Sequence, residues 1–246
     1  MPGLDWLTAR PIAHRGLHDA SNGVIENTGS AFAAAIAGGY GIECDLQISA
    51  DGEAMVHHDD ALGRLTEGSG RLAEMSAEAI KKVRFKTGGD HILELGELCE
   101  LVGGRAALVL ELKSRFDGDR RLAERTAERL SSYGGPAAVM SFDPALIEAV
   151  RAIAPRLPRG LVTQRHYDDW PGLPPRLKRS MAHLPHFPRT RPHFIAYAVK
   201  DLPALAPWVA RRIFGLPLLA WTVRSEAERL RAAAYADQII FEGWRP

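Results

Sequence analysis

Cysteine is scarce in this chain: Cys44 and Cys99 are the only two among 246 residues. Neither belongs to a CxxC pair, so the sequence offers no disulfide framework and no thiolate zinc site of that spacing. Both are expected as reduced, partly buried thiols. Long apolar runs are also missing. No window approaches the roughly 20 apolar residues of a spanning helix, and the N-terminal stretch MPGLDWLTARPIAHRG lacks the apolar centre of a signal peptide. A soluble cytoplasmic protein without a stable membrane anchor is expected. Neither sign of charge dominates, with 31 Lys and Arg against 30 Asp and Glu. The strong basic field that a nucleic-acid partner requires is therefore not anticipated. No internal repeat or low-complexity tract stands out, and the sequence leaves the oligomeric state open.

What the chain has is apolar residues, 46% of the total, enough for a sizeable core. They fall into short runs separated by helical periodicity. Strand-like runs are RPIAH ending at His14, GIECDL, AALVLELK (106–113), AAVMSF (137–142), GLVTQ (160–164), FIAYAV (194–199), PLLAWTV (217–223) and DQIIFE (237–242). Helices are expected at TGSAFAAAIAGG, with Thr28 as N-cap and Gly38-Gly39 as the stop, and over 119–131, 144–153, 203–213 and 225–234. Eight continuous apolar strands alternating with helices, in a chain of about 250 residues, predict a closed (β/α)8 TIM barrel as a single domain over 1–246. One segment breaks the rhythm. EAMVHH (53–58) follows IECDLQIS after only Ala50, Asp51 and Gly52, too few residues for a parallel crossover. It should return antiparallel through an Asp-Gly turn, as an extra strand above the barrel mouth. A small insertion over about 59–95 then passes over that mouth, and 164–193, rich in Pro and His, is expected to be irregular.

Chemistry in such a barrel lies at the C-terminal strand ends. Those ends carry His14-Arg15-Gly16, then Glu43 and Asp45, then Glu111 and Lys113. Residues two apart on a strand share a face, so Glu43 and Asp45 should point together into the mouth while Cys44 points away. Three converging carboxylates would repel strongly if left unpaired. A hard divalent cation held by oxygen ligands, Ca²⁺ or Mg²⁺, relieves this. The alternative is an ion-pair network through Lys113 and Arg15 with no metal. His14 and His58 suit acid–base work, since an unperturbed histidine titrates at about 6.5. His57 should alternate away from His58 and face outward. The remaining histidines lie in or beside loops and carry no catalytic expectation.

These residues together resemble a known family. AHRG, ENTGSAFAAAIAGG, IECDLQISADGEAMVHHDDALGRLT and LVLELK occur in the order and at the spacing of the glycerophosphodiester phosphodiesterases. The later Ser141-Phe142 and Trp221 to Val223 are similar to that family too. The resemblance implies a phosphodiesterase barrel with one divalent metal. The activity it implies is hydrolysis of a small glycerophosphodiester to sn-glycerol 3-phosphate and an alcohol. Carried over by motif, His14 and His58 become the acid–base pair, and Glu43, Asp45 and Glu111 the metal ligands. Arg15 and Lys113 hold phosphate oxygens, Glu26 and Asn27 support the mouth, and Trp221 joins the substrate-binding residues.

The sequence departs from the family pattern in three places. Ile25 stands where proline is usual, Leu65 separates Arg64 from Thr66, and Phe241-Glu242 replaces a Thr-Asp pair. The last change should alter the rim at the final strand and with it the leaving-group pocket. Competing readings are a related phosphodiesterase acting on another diester, a carboxylate-pair glycosidase, and a barrel that only binds an anion.

Overall fold

The computed structural model describes residues 3–168, 170 and 172–246. A short helix α1 (Asp5–Ala9) precedes strand β1 (Ile12–Ala13). Helix α2 (Gly29–Ala37) leads into the long strand β2 (Gly41–Ile48), which turns back as β3 (Ala54–Val56). Helices α3 (Ala77–Lys81) and α4 (Leu95–Val102) follow. Strand and helix then alternate as β4 (Leu108–Leu112), α5 (Arg121–Leu130), β5 (Ala137–Ser141), α6 (Pro144–Ile153) and β6 (Arg159–Thr163). Next come α7 (Pro175–His183), α8 (Phe187–Thr190) and β7 (Phe194–Ala198). The chain ends with α9 (Leu205–Arg212), β8 (Leu218–Val223), α10 (Glu226–Tyr235) and β9 (Gln238–Phe241).

The sheet order is β1-β9-β8-β7-β6-β5-β4-β2-β3, and β1 also pairs with β2. That second pairing closes eight parallel strands into a barrel. Strand β3 stands outside the closure, antiparallel to the far end of β2 with Leu46 opposite Val56 and Ile48 opposite Ala54. The barrel and its extra strand are both as the sequence predicts.

Alternation along the strands sorts the core into two layers. Ile12, Val109, Met140, Phe194 and Ile240 fill the barrel interior, while Ile42, Cys44, Leu110 and Ile195 pack in the layer beneath the helices. Gly160 leaves room for the Phe194 ring, because a Cβ there would lie 2.4 Å from a ring carbon. Helix α1, which the sequence reading did not include, places Leu7 in the interior cluster. Its Thr8 carbonyl accepts a hydrogen bond from Gln238 Nε2 at 2.8 Å, which ties α1 to β9.

The insertion has a small core of its own. Ile25 and Met55 pack there with Leu72, Ile80 and Ile92. Within 164–193 the expectation of irregular chain is corrected: α7 and α8 form there. Each has proline at its first turn, where the missing N–H costs nothing and the fixed φ suits a helix. Prolines that look like breakers are helix starts. Asp169 and Pro171 of this stretch lie outside the described residues. No helix is long and apolar enough to cross a membrane among the described residues.

Candidate active site

Strands β2 and β4 run side by side with Asp45 level with Glu111 and Glu43 one step below, opposite Val109. Glu43, Asp45 and Glu111 are all buried, and each offers an oxygen within 4.8 Å of the others. Arg15 and Lys113 meet this cluster. Lys113 Nζ lies 2.9 Å from both Asp45 Oδ1 and Glu111 Oε1, and Arg15 Nε lies 3.1 Å from Asp45 Oδ2. Burial opposes the Lys113 charge, but Asp45 and Glu111 outweigh it and hold its pKa above the ordinary lysine range. Burial likewise opposes the Asp45 charge, and Lys113 and Arg15 overcome it, keeping that carboxyl well below the usual range.

Glu43 is different. Its pKa is driven well above the ordinary value, first by burial and then by Asp45 and Glu111. One oxygen, Oε2, accepts the Arg15 backbone N–H at 3.0 Å, whereas Oε1 is buried without a hydrogen-bond partner. The ion-pair network through Arg15 and Lys113 therefore exists, yet it leaves one carboxylate uncompensated. An all-oxygen set of three buried carboxylates with an orphaned acceptor fits a metal cation.

The loop after β1 makes this approach possible. Arg15 and Gly16 both adopt positive φ, 56° and 79°. A side chain at Gly16 would strike Ala31 at 2.8 Å, so only glycine lets the loop lie against α2. Asn27, also at positive φ, donates Nδ2 to Asp45 Oδ2 at 2.9 Å and accepts the Asp45 backbone N–H at 3.2 Å. Glu26 accepts Arg15 Nη1 at 2.8 Å and Arg64 Nη2 at 2.6 Å. Thr28 then caps α2 through its side-chain oxygen, as the sequence predicts.

Two histidines flank the cluster, and both act on the charge of Asp45. His14 Nε2 faces Glu43 Oε2 at 3.9 Å, while Nδ1 meets Glu242 Oε2 at 3.3 Å. Burial lowers the His14 pKa, with Glu242 pulling the other way. His58 Nδ1 meets Asp59 Oδ1 at 2.8 Å, and Asp59 in turn accepts Arg64 Nε at 2.6 Å. His57 is buried, not turned to solvent as expected; it follows the end of β3, so strand alternation no longer governs it.

Glu242 and Asp59 carry no site role in the sequence reading. Asp59 was visible beside His58. Glu242 was noted as a departure at the rim, but its main contacts are His14, His18 at 3.4 Å and Arg224 at 2.5 Å. The opposite half of the mouth, above β5, β6 and β8, is aromatic. Phe142 packs with Trp170 at 4.9 Å and Trp221 at 5.5 Å between ring centres, and Tyr167 packs with Trp170 at 5.7 Å. Trp221 Nε1 is buried without a hydrogen-bond partner.

The Caldanaerobacter subterraneus subsp. tengcongensis glycerophosphodiester phosphodiesterase is 36% identical over 163 residues, 62% of this chain and 66% of that protein. Bos taurus glycerophosphodiester phosphodiesterase 1 is 45% identical over 74 residues, 29% of this chain and 21% of its own length. This chain thus spans just under two thirds of the first relative and about a fifth of the second. Among solved structures, an Oleispira antarctica phosphodiesterase in complex with the product sn-glycerol-3-phosphate superposes with TM-score 0.78 at 21% identity, covering 96% of this chain and 94% of that one. The Agrobacterium tumefaciens glycerophosphodiester phosphodiesterase gives TM-score 0.68 at 24% identity and 94% coverage of both chains. The sequence pattern of the glycerophosphoryl diester phosphodiesterase family matches residues 14–241, nearly the whole chain, and the protein belongs to that family.

Proposed function

We propose that the protein hydrolyses a glycerophosphodiester, adding water across one P–O bond to give sn-glycerol 3-phosphate and an alcohol. The observation that carries this reading is the buried Glu43, Asp45 and Glu111 cluster with a histidine on each side. The product held by the Oleispira antarctica relative supports the substrate class. Glu43, Asp45 and Glu111 would hold one divalent cation, Ca²⁺ or Mg²⁺. That ion would act as a Lewis acid toward phosphoryl oxygens.

The chain's own residues supply the remaining steps. Arg15 and Lys113 present a guanidinium and an ammonium beside the cluster, where they would hold phosphate oxygens and offset charge that develops on them. Glu26 and Asn27 fix Arg15 and Asp45 in place. Glu242 occupies His14 Nδ1, so Nε2 is the nitrogen that faces the reacting centre. Burial favours neutral His14, the form that accepts a proton from the nucleophile. His58, its Nδ1 held by Asp59, would return a proton to the leaving alkoxide. The orphaned Trp221 Nε1 would donate to a substrate oxygen from the aromatic side.

Two routes differ in the nucleophile, water or the substrate's own 2-hydroxyl, the second giving a cyclic phosphate that water then opens. Comparing a glycerophosphodiester with its 2-deoxy analogue separates them. Loss of turnover with the analogue supports the cyclic route, and undiminished turnover excludes it. His58→Ala should lower kcat by roughly 10²–10⁴; an unchanged rate would remove His58 from the mechanism.

A further inference from the structure

Charge is balanced over the whole chain but not along it. Residues 156–214 contain eleven Lys and Arg against three Asp and no Glu, although the full chain carries a net charge of only +1. This segment forms two neighbouring units of the barrel wall, since β6 and β7 pair directly and carry α7, α8 and α9 between and after them. A basic sector therefore sits on one side of a molecule whose remainder is acidic.

The same sector holds most of the large exposed apolar residues. Leu205 is 76% exposed, Trp208 53%, Ile213 64% and Phe214 54%. Leu205, Trp208 and Arg212 are spaced three and four apart, so they share one face of α9. Ile213 and Phe214 continue directly from its end. Beside this helix lies an apolar groove of about 770 Å³, lined by Leu184, Phe187, Leu205, Val209 and Phe214, with Arg165 and His183 at its edge. Phe187 and Phe214 stack across it with centres 4.7 Å apart. On the facing helix α7, Arg176, Arg179 and His183 are exposed and share a face by the same spacing. Arg176, Arg179 and Arg212 form no ion pair among the described residues.

We propose that the α7–α9 face is a peripheral docking surface for an anionic lipid bilayer. The basic side chains would meet the headgroups, and Leu205, Trp208, Ile213 and Phe214 would enter the interface beside them. Cationic residues around exposed aromatic and aliphatic ones are the chemistry that anionic lipid selects, because electrostatic attraction and apolar burial then act together. Nucleic acid would satisfy the charge but leave exposed Leu and Ile without a partner. A second copy docking face to face would set two basic patches against each other. Of the other exposed apolar residues of comparable size, Ile153 is on α6 and Leu230 and Tyr235 are on α10, outside the α7–α9 face.

The test is co-sedimentation of the full chain with vesicles, which needs no assumption about turnover. Vesicles of mixed phosphatidylcholine and phosphatidylglycerol should bind the protein at low salt, and pure phosphatidylcholine vesicles far less. The R176E/R179E double variant should weaken binding roughly tenfold or more, and L205S/W208S should do so even at low salt. Each variant should keep the parental thermal melt and its turnover of a short, water-soluble diester. A melt shift in one variant is checked against the other, because the two alter different helices. The proposal is overturned by equal binding to both vesicle types, by variants that melt normally and bind like the parent, or by absence of vesicle binding. It is also overturned if light scattering shows self-association abolished by the same substitutions, or if single-stranded nucleic acid binds more tightly than the anionic vesicles.

Discussion

Each histidine of the proposed acid–base pair is fastened through Nδ1 by an acid, His14 by Glu242 and His58 by Asp59. Such a bond fixes the tautomer and aims the other nitrogen. Glu242→Gln should therefore reduce kcat by about tenfold or more with little change in KM. It also makes a signed prediction. Burial lowers the His14 pKa and Glu242 raises it, so removing that carboxylate should move the acid limb of the kcat/KM profile to lower pH. An upward move would contradict the role given to His14 as base. His57 offers the contrasting case. It is buried beside the site without a place in the proposed chemistry, so His57→Ala should lower the melting temperature and leave kcat within a few-fold of the parent.

At the scale of elements, the turn after β1 is the most demanding piece. Gly16→Ala forces a methyl onto Ala31 in a left-handed backbone, which should cost about 1–3 kcal/mol. It should also raise KM, because Arg15 is displaced; thermal melts and steady-state kinetics together check this. A second element-level contact joins the β2–β3 turn to α5. Glu53 accepts from Arg125 Nε and Arg129 Nη2, each at 3.0 Å. The hydrogen bond from Arg125 leads the causes that hold the Glu53 pKa below its ordinary value. The folded carboxyl thus binds its proton less readily than the unfolded one. Its stabilisation is complete above the ordinary glutamate value and is lost as pH falls through the lower folded value. Glu53→Gln should cost about 1 kcal/mol at neutral pH, a melting shift of about 2–4 °C. That difference should shrink in acid. Strands and helices of this kind were legible because their apolar periodicity is strong: α6 spans the same 144–153 read from sequence. Helices α7 and α8 were hidden by their own prolines, and α1 is too short to show a period.

For the molecule as a whole, the sequence singled out Glu43, Asp45, Glu111, His14 and His58 because they sit in motifs within the first half of the chain. It did not reveal the Glu242 contact, which joins residues 228 positions apart and exists only once β9 closes the barrel against β1. Nor did overall charge balance disclose the basic sector over 156–214. The decisive feature at this scale is the acidic cluster with its uncompensated Glu43. A cation bound there should stabilise the fold by mass action, by about 2.7 kcal/mol at a hundred times Kd. Melting temperature should then rise with added Ca²⁺ or Mg²⁺, and the rise should vanish in Glu43→Gln. The most direct measurement is sn-glycerol 3-phosphate release from a panel of glycerophosphodiesters by chelator-treated protein, with each metal restored in turn. Release that stops with the chelator, returns with Ca²⁺ or Mg²⁺, and is absent in Glu43→Gln is the predicted result. Undiminished release after complete metal removal, or no release from any glycerophosphodiester with either metal restored, would contradict it.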